Sequence, residues 1–255
     1  MNNALYVAWR SGPTADGRWG PVGRLSHEPH GYRFGYTRGA RSLDGFVPFP
    51  GMPDLDVVYD SEELFPLFAN RLLAPSRPEY EEFLLWGGFD CEDPPDPIAI
   101  LSVTEGRRRT DCLEVFPCPR PDATGCYINK FFLHGVRWMQ PDAVEFINTL
   151  QPPGKLELEQ ERSNKFDPNA LAVFALGGNN RTKIGYVPRY LAREFGALAK
   201  FCGDNATLTV ERINPDAPLQ QRVLCKISTC WPDGFRPCSG EDFQPIASEL
   251  STLTA

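Results

Sequence analysis

The sequence lacks the markers of several protein classes. No stretch approaches the roughly 18 uncharged apolar residues of a membrane-spanning helix, and no basic region followed by a hydrophobic segment opens the chain. It contains no Gly-x-Ser-x-Gly, no P-loop, no dinucleotide-binding glycine motif that opens a helix and no His-Glu-x-x-His. We therefore expect a cytoplasmic protein with no membrane contact, which is not an enzyme and needs no cofactor.

Histidines and closely spaced cysteines are also scarce. His27, His30 and His134 are the only candidates for histidine base catalysis, and the His27-x-x-His30 pair has the Pro/Gly neighbours of a surface loop. The eight cysteines include no Cys-x-x-Cys pair, which is the usual zinc spacing. Because no secretory signal is present, we expect reduced cysteines and no metal site, with zinc as a minor alternative.

Lysine is absent before Lys130, although arginine is common there. The formal net charge is −7 for the whole chain, and it is −7 over 1–127, +3 over 128–230 and −3 over 231–255. This change of composition predicts a domain boundary near Lys130. An acidic chain attracts nucleic acid poorly as a whole, so any contact with a polyanion must be local.

The chain is rich in turn-forming residues, with 22 glycines and 25 prolines that follow no period. Such a composition favours many short strands over a helical bundle. Helical spacing and capping residues predict helices at 64–73, 78–86, 141–150 and 188–199. Alternating or short apolar runs predict strands, which we place at 5–9, 20–25, 32–36, 98–103, 131–138, 155–159, 170–174, 183–187, 206–213 and 221–228.

These elements predict a fold that is mainly β with short helices (α+β), arranged in two domains. We place the first domain at 1–116, a Pro-rich linker at 117–127, the second domain at 128–230 and a polar, flexible tail at 231–255. The second domain reads as a small β-barrel, with a turn at Gly177-Gly178-Asn179-Asn180 between two of its strands.

One cluster joins two of the predicted strands, Arg162-Ser163-Asn164-Lys165-Phe166-Asp167-Pro168-Asn169-Ala170. A β-turn is enough to explain Asp167-Pro168-Asn169, and this structural interpretation stays open. The aromatic ring among amides, a carboxylate and cations is also what a splayed nucleotide requires. The ring can stack on a base, the polar groups can read base edges or a terminal hydroxyl, and the cations can hold phosphate.

Several blocks, in order and at matching spacing, resemble the HIRAN domain family over about residues 131–228. They are Gly135-Val136-Arg137-Trp138, Leu156-Glu157-Leu158-Glu159-Gln160-Glu161, Asn164-Lys165-Phe166-Asp167-Pro168-Asn169-Ala170 and Lys183-Ile184-Gly185-Tyr186-Val187-Pro188-Arg189. The resemblance implies a compact β-barrel-like module that binds single-stranded DNA. In one branch of the family, the module recognises the 3′-hydroxyl end of the strand. It also implies a role in DNA repair or, in bacteria, in phage defence.

The resemblance implies a role for each matching residue. Arg137 and Arg189 correspond to phosphate-contacting cations, and Trp138 corresponds to a base-stacking tyrosine. Phe166 corresponds to a second stacking aromatic, and it differs from the family's tyrosine by lacking the hydroxyl.

The remaining matches lie in the same loop and in the following strand. Asp167 corresponds to the carboxylate that accepts a hydrogen bond from the terminal 3′-hydroxyl, and Asn164 to an amide of the same loop. Lys165 is a flanking cation, and Tyr186 stands where that branch has a histidine. A further aromatic of the family's pocket has no counterpart near Ile213-Asn214.

About residues 4–115 are similar, through 22–25, 32–36 and 63–73, to the N-terminal subdomain of HipA-type toxin kinases. No kinase core follows, so no kinase activity is implied. This likeness leaves an alternative function open beside single-stranded DNA binding. The chain would then be a protein-interaction adaptor or an antitoxin-like partner of a HipA-type kinase, with the protein partner held by the first domain.

Overall fold

A computed structural model of the chain describes residues 4–11, 18–108, 110–177, 180–247 and 252–254. Two of the predicted turn residues, Gly178 and Asn179, lie outside these described residues, and so do residues 248–251 and 255 of the predicted tail. No helix in the described ranges is long and apolar enough to cross a membrane.

The described residues form twelve β-strands and six α-helices. The strands are β1 (Ala4–Arg10), β2 (Trp19–Glu28), β3 (Gly31–Tyr36), β4 (Val58–Ser61), β5 (Leu113–Pro117), β6 (Cys126–Phe132), β7 (Lys155–Gln160), β8 (Leu171–Gly177), β9 (Asn180–Tyr186), β10 (Thr207–Ile213), β11 (Val223–Cys230) and β12 (Thr252–Thr254). The helices are α1 (Gly39–Ser42), α2 (Pro66–Ala69), α3 (Tyr80–Trp86), α4 (Pro97–Thr104), α5 (Pro141–Ile147) and α6 (Arg189–Cys202). The prediction of a mainly β chain with short helices is confirmed.

Contacts along the chain divide it into two compact units. Unit 1 consists of Met1–Tyr80, Pro95–Cys118 and Arg236–Ala255, and unit 2 consists of Glu81–Pro94 and Pro119–Phe235. Both units are therefore built from non-consecutive segments, which differs from the consecutive domains that we placed at 1–116 and 128–230.

Unit 1 is organised by a six-stranded sheet of order β12-β4-β3-β2-β1-β5, in which only β12 and β4 run parallel. Tyr36, on β3, is fully buried. Its hydroxyl donates to the Met52 carbonyl oxygen at 2.7 Å and accepts from the Phe49 N–H at 2.7 Å. Burial raises the pKa of Tyr36. The same side chain therefore supports the sheet core and fixes the Pro-rich loop that follows.

Part of the predicted flexible tail contacts this sheet. The Arg38 N–H donates to the Gln244 carbonyl oxygen at 2.8 Å, and the Ile246 N–H donates to the Tyr36 carbonyl oxygen at 3.0 Å. Thr37 and Pro245 form an isolated antiparallel bridge. Residues near 244–246 thus hold a defined path beside the end of β3, because their backbone groups are paired with it.

The strand predicted at 98–103 is wrong, since these residues lie in α4. The Asp96 side chain caps this helix by accepting from the Ile98 N–H at 2.7 Å, and Pro97 occupies the first helical turn. Ile98, Ile100, Leu101 and Val103 are all buried. A short run that is apolar on every side has no period that separates a buried helix from a buried strand, and only the Asp-Pro start marks the helix.

Unit 2 contains an antiparallel six-stranded sheet of order β6-β11-β10-β7-β8-β9. His134, two residues beyond the end of β6, forms an isolated bridge with Tyr186 at the end of β9, and among the described residues the outer strands β6 and β9 are not paired with each other. The described residues therefore form no closed barrel, and the predicted β-barrel is corrected to an open sheet. The reason lies at Gly135, whose φ of +75° turns the chain out of the strand direction into a 3-10 helix over Val136–Trp138. The strand predicted at 131–138 is misplaced, since β6 runs from Cys126 to Phe132 and shares only two residues with it.

One disulfide corrects the expectation that all cysteines are reduced. Cys202, at the end of α6, is bonded to Cys230, at the end of β11. The other six cysteines form no disulfide. The two partners are 28 residues apart, and no short spacing motif joins them. Only the packing of α6 against β11 brings the two sulfur atoms together.

We expect this disulfide to stabilise unit 2 by about 2–4 kcal/mol, because the cross-link restricts the unfolded chain. The double variant Cys202→Ser/Cys230→Ser should lose this free energy of unfolding in non-reducing buffer. A thiol reductant should lower the wild-type value to that of the variant. Denaturant titrations with and without reductant measure both effects, and Cys126→Ser serves as the control because Cys126 forms no disulfide. The prediction would be contradicted if neither the double substitution nor the reductant lowered the free energy of unfolding.

Candidate functional site

The turn after β6 presents two of the predicted site residues to solvent. In the 3-10 helix Val136–Trp138, Val136 is buried while Arg137 is exposed and Trp138 is 73% exposed. The Arg137 guanidinium carbon lies 4.6 Å from the centre of the Trp138 ring. A tryptophan offers a large apolar area that folding normally buries. Here that area stays available, with a positive charge beside it.

The loop between β7 and β8 holds a second exposed ring. The Asn164 Oδ1 atom accepts from the backbone N–H groups of Phe166, at 3.0 Å, and of Asp167, at 3.1 Å. One Asp167 carboxylate oxygen accepts from the Asn169 N–H at 2.9 Å. These local bonds fix the loop backbone and leave the Phe166 side chain outside, where the residue is 60% exposed. Lys165 lies beside it and is exposed.

The Glu161 carboxylate is the point at which this loop is tied to the sheet. It accepts from the Lys183 ammonium at 2.7 Å, from the Tyr186 hydroxyl at 2.7 Å and from the Asn164 Nδ2 amide at 2.7 Å. These three hydrogen bonds, with the one from Lys183 contributing most, lower the pKa of Glu161 to about 2. Glu161 is therefore ionised throughout the physiological pH range.

Lys183 is the charged partner in this arrangement. Its partial burial acts to lower its pKa, but the hydrogen bonds to Glu161 and Tyr186 outweigh that effect, and the pKa is raised above its usual value. The ammonium also lies 4.3 Å from the centre of the Tyr186 ring. Lys183 consequently stays protonated and holds both side chains in place.

Tyr186 connects the turn that carries Trp138 to the loop that carries Phe166. Its backbone N–H and carbonyl pair with those of His134, each at 2.9 Å. Its ring lies so close to Gly135 that a Cβ atom at that position would come within 3.0 Å of it. Its hydroxyl reaches Glu161. The two exposed rings are thus carried by segments that share Tyr186 at the β9 edge of the sheet.

The structure places most of the predicted site residues on two segments, the loop between β7 and β8 and the turn after β6. A single loop contains Asn164, Lys165, Phe166 and Asp167, as the sequence requires. Arg137 and Trp138 belong to the turn packed against Tyr186, whereas the partly exposed Arg189 begins α6 three residues after Tyr186. The place of Arg189 in the site is inferred from its position along the chain.

A known protein family matches the part of the chain that carries these residues. Residues 129–231 match the family model of the HIRAN domain. We call this segment the HIRAN region. It includes both exposed rings and the loop between β7 and β8.

Two solved structures resemble part of the chain. A protein from Lactobacillus plantarum is 22% identical, with the match covering 41% of this chain and 96% of that one at a TM-score of 0.32. The HIRAN domain of human HLTF is 13% identical, with coverage of 42% and 78% and a TM-score of 0.27. No curated protein matches the chain. The proposed likeness of about residues 4–115 to HipA-type proteins receives no support from these comparisons.

Sequence reasoning missed two residues of the HIRAN region's site, Glu161 and Lys183. Glu161 lies two residues beyond the strand predicted at 155–159, and Lys183 is the first residue of the strand predicted at 183–187. Glu161 directly follows β7 and Lys183 lies in β9, and these two strands are both paired to β8 and not to each other. A search for cross-strand neighbours therefore could not join them, and the only sequence signal is the acidic residue directly before the loop.

The acidic groups of the HIRAN region do not assemble into a metal centre. Across the described ranges, no group of three or more His, Cys, Asp or Glu residues is arranged to hold a metal ion. Glu157 and Glu159 are paired with Arg181, at 2.8 and 2.9 Å. The site offers aromatic surfaces for stacking, cations and hydrogen-bonding groups.

We expect acid to weaken the links at Glu161. Because its folded pKa of about 2 lies below the ordinary 4.5, the ionised carboxylate stabilises the fold above pH 4.5, and this contribution is lost as the pH falls toward 2. Glu161→Gln should lower the free energy of unfolding at pH 7 by about 1–3 kcal/mol. It should also reduce the further loss of stability between pH 4.5 and pH 3.

Urea titrations at pH 7, 4.5 and 3 measure this dependence. Glu159→Gln is the matched control, because Glu159 lies only two residues before Glu161 and is mostly exposed. If Glu161→Gln and Glu159→Gln kept the same pH dependence as the wild type, Glu161 would not have the depressed pKa.

Proposed function

We propose that the protein binds single-stranded DNA through the HIRAN region, with Trp138 and Phe166 stacking on bases. The observation that carries this proposal is the exposure of the two rings, 73% and 60%, on segments that are otherwise held rigidly. Aromatic side chains that stay outside a core are the usual platforms for unpaired bases. The family match of residues 129–231 supports the same kind of ligand.

Local charge supports a nucleic-acid ligand despite the acidic total. Arg137, Lys165 and Arg189 lie in the turn, in the loop and at the start of α6, close along the chain to the groups that stack or read polar edges. Residues 128–230 carry a net charge of +3, whereas the whole chain carries −7. Long-range attraction is therefore weak, and binding depends on contacts within the site. Two base stacks at about 1–3 kcal/mol each, with a few phosphate contacts, correspond to about micromolar affinity.

We further propose that the site recognises a 3′-hydroxyl end through Asp167. One oxygen of its carboxylate accepts from the Asn169 N–H, and no donor among the described residues reaches the second oxygen. A terminal hydroxyl could donate to this second oxygen, whereas a terminal phosphate would be repelled by the carboxylate charge. The Asn164 side chain is already engaged by Glu161 and by the loop backbone. Its proposed role is to shape the loop.

The proposed role is binding without catalysis. Holding a strand end needs no nucleophile, general base or metal ion, and the residues of the site are stacking, cationic and hydrogen-bonding groups. Free 3′ ends arise during DNA repair and during attack on foreign DNA, so we propose that the protein acts in repair or in bacterial defence.

Removing either ring should weaken binding of a single-stranded oligonucleotide. We expect Trp138→Ala and Phe166→Ala each to raise Kd by about tenfold or more, because a base–aromatic stack contributes about 1–3 kcal/mol. Fluorescence anisotropy with a labelled ten-nucleotide strand measures the change. Leu176→Ala is the control, since Leu176 is an exposed apolar residue in β8 outside the site. Equal affinities for wild type and both ring variants would refute the stacking role.

The end preference can be tested separately. A 3′-phosphate in place of the 3′-hydroxyl should raise Kd about tenfold for the wild type, and Asp167→Asn should narrow this difference by removing the carboxylate charge. The asparagine side chain can still accept from the Asn169 N–H, so the loop should keep its shape. A 5′-phosphate serves as the control and should have little effect. If the wild type bound the strands with a 3′-hydroxyl and with a 3′-phosphate equally, the site would stack on bases without recognising the strand end.

A further inference from the structure

An open groove of about 480 Å³ runs beside the exposed face of α6 in unit 2. The strands β7 and β8 form the floor and one side of this groove through Leu158, Gln160 and Leu171. The loop between the two strands contributes Asn169, and the helix closes the opposite side. We call this feature the α6 groove. It lies outside the residues to which we assigned stacking and end recognition.

The floor of the α6 groove is apolar and is kept open by a glycine. Leu158 and Leu171 supply its surface, and Gly196 lies opposite them in the middle of α6. A Cβ atom at Gly196 would meet Leu171 at 3.6 Å, an ordinary contact distance, so packing does not require glycine at this position. Glycine inside a helix costs about 1 kcal/mol relative to alanine. The missing side chain leaves this part of the floor uncovered.

Two cations and an aromatic ring border this floor. Arg193 and Lys200 are exposed lining residues, and neither has an ion-pair partner among the described residues. They are seven residues apart, so they lie on the same side of α6, about 10 Å apart along its axis. Phe201 also lines the groove and is 75% exposed. An apolar floor with a ring and unpaired cations is complementary to the bases and phosphates of a single strand.

The α6 groove begins at the loop of the proposed end-binding site. Asn169 lines the groove, and its N–H donates to the Asp167 carboxylate at 2.9 Å. Gln160 lines it as well and directly precedes Glu161, which holds the loop. A strand whose last nucleotide lies at Phe166 and Asp167 can therefore continue into the groove without leaving the surface of the HIRAN region.

We propose that the α6 groove binds the nucleotides that precede the 3′-terminal one. Arg193 and Lys200 contact backbone phosphates, and a base stacks on Phe201. This inference rests on the proposed function and extends it to a longer binding site. The rise of about 10 Å along α6 between the two positions corresponds to about three nucleotide steps of a stacked strand at ~3.4 Å each. Both cations border the groove, which favours an anionic strand over an apolar peptide as its occupant.

Strand length separates this proposal from the function on which it rests. Labelled oligonucleotides of three and ten nucleotides, both with a 3′-hydroxyl, are titrated against the full chain by fluorescence anisotropy. We expect Arg193→Gln/Lys200→Gln to raise the Kd of the ten-nucleotide strand about tenfold and to leave that of the three-nucleotide strand almost unchanged. The slope of log K against log salt for the longer strand should become less steep by about 1.4, because two phosphate contacts at about 0.7 each are lost.

Two further variants make the result specific. Gly196→Leu fills the groove without changing charge, and it should also weaken binding of the longer strand alone. Lys155→Gln/Arg212→Gln is the charge-matched control, because both residues are exposed and neither lines the groove. Thermal melting checks that every variant folds. The double charge variant keeps the test valid if Gly196→Leu does not fold, since its two changes are at exposed positions.

The possible results lead to different conclusions. If the groove variants bind the ten-nucleotide strand as the wild type does while Phe166→Ala weakens both lengths, the groove proposal is wrong and the proposed function stands. If the wild type binds neither strand, both are wrong. Equal loss from the control pair and from Arg193→Gln/Lys200→Gln would show a general charge effect, which also overturns the assignment of the groove.

Discussion

The candidate site depends on one carboxylate. Glu161 accepts hydrogen bonds from an ammonium, a phenol and an amide, and these donors come from β9 and from the loop that follows β7. A partly buried charge of this kind is favourable only when it is fully paired, so the three bonds stabilise one arrangement of the loop and of Tyr186. With the polar groups satisfied internally, the apolar rings of Trp138 and Phe166 are left at the surface.

For the proposed function, exposed rings and local cations are what allow an acidic chain to bind a polyanion. A net charge of −7 opposes long-range attraction. Base stacking acts only at contact and is insensitive to the total charge, and the cations near the rings offset repulsion where the backbone passes. In the same way, the α6 groove places Arg193 and Lys200 beside an apolar floor. The proposed interface therefore combines short-range contacts that continue from the loop along one helix.

The success of the sequence predictions varied with the range of the interactions. The alternation in 32–36 identified β3, and the start of α6 was found from Pro188. The apolar run in α4 was misread as a strand because it has no period. The predicted barrel does not close, because Gly135 turns the chain away from the strand direction. Among the described residues, an isolated bridge at His134 joins the segment after β6 to the end of β9. Local patterns could not show where a strand stops pairing.

The sequence by itself determined the loop that presents Phe166. The hydrogen bonds of Asn164 and Asp167 join residues two or three positions apart, so their chemistry and spacing already specify the turn. Only the tertiary structure decided the link from Glu161 to Lys183 and Tyr186, and the Cys202–Cys230 disulfide. These partners are 22, 25 and 28 residues apart. Strand order and helix packing bring them together, and neither is encoded in a short stretch of chain.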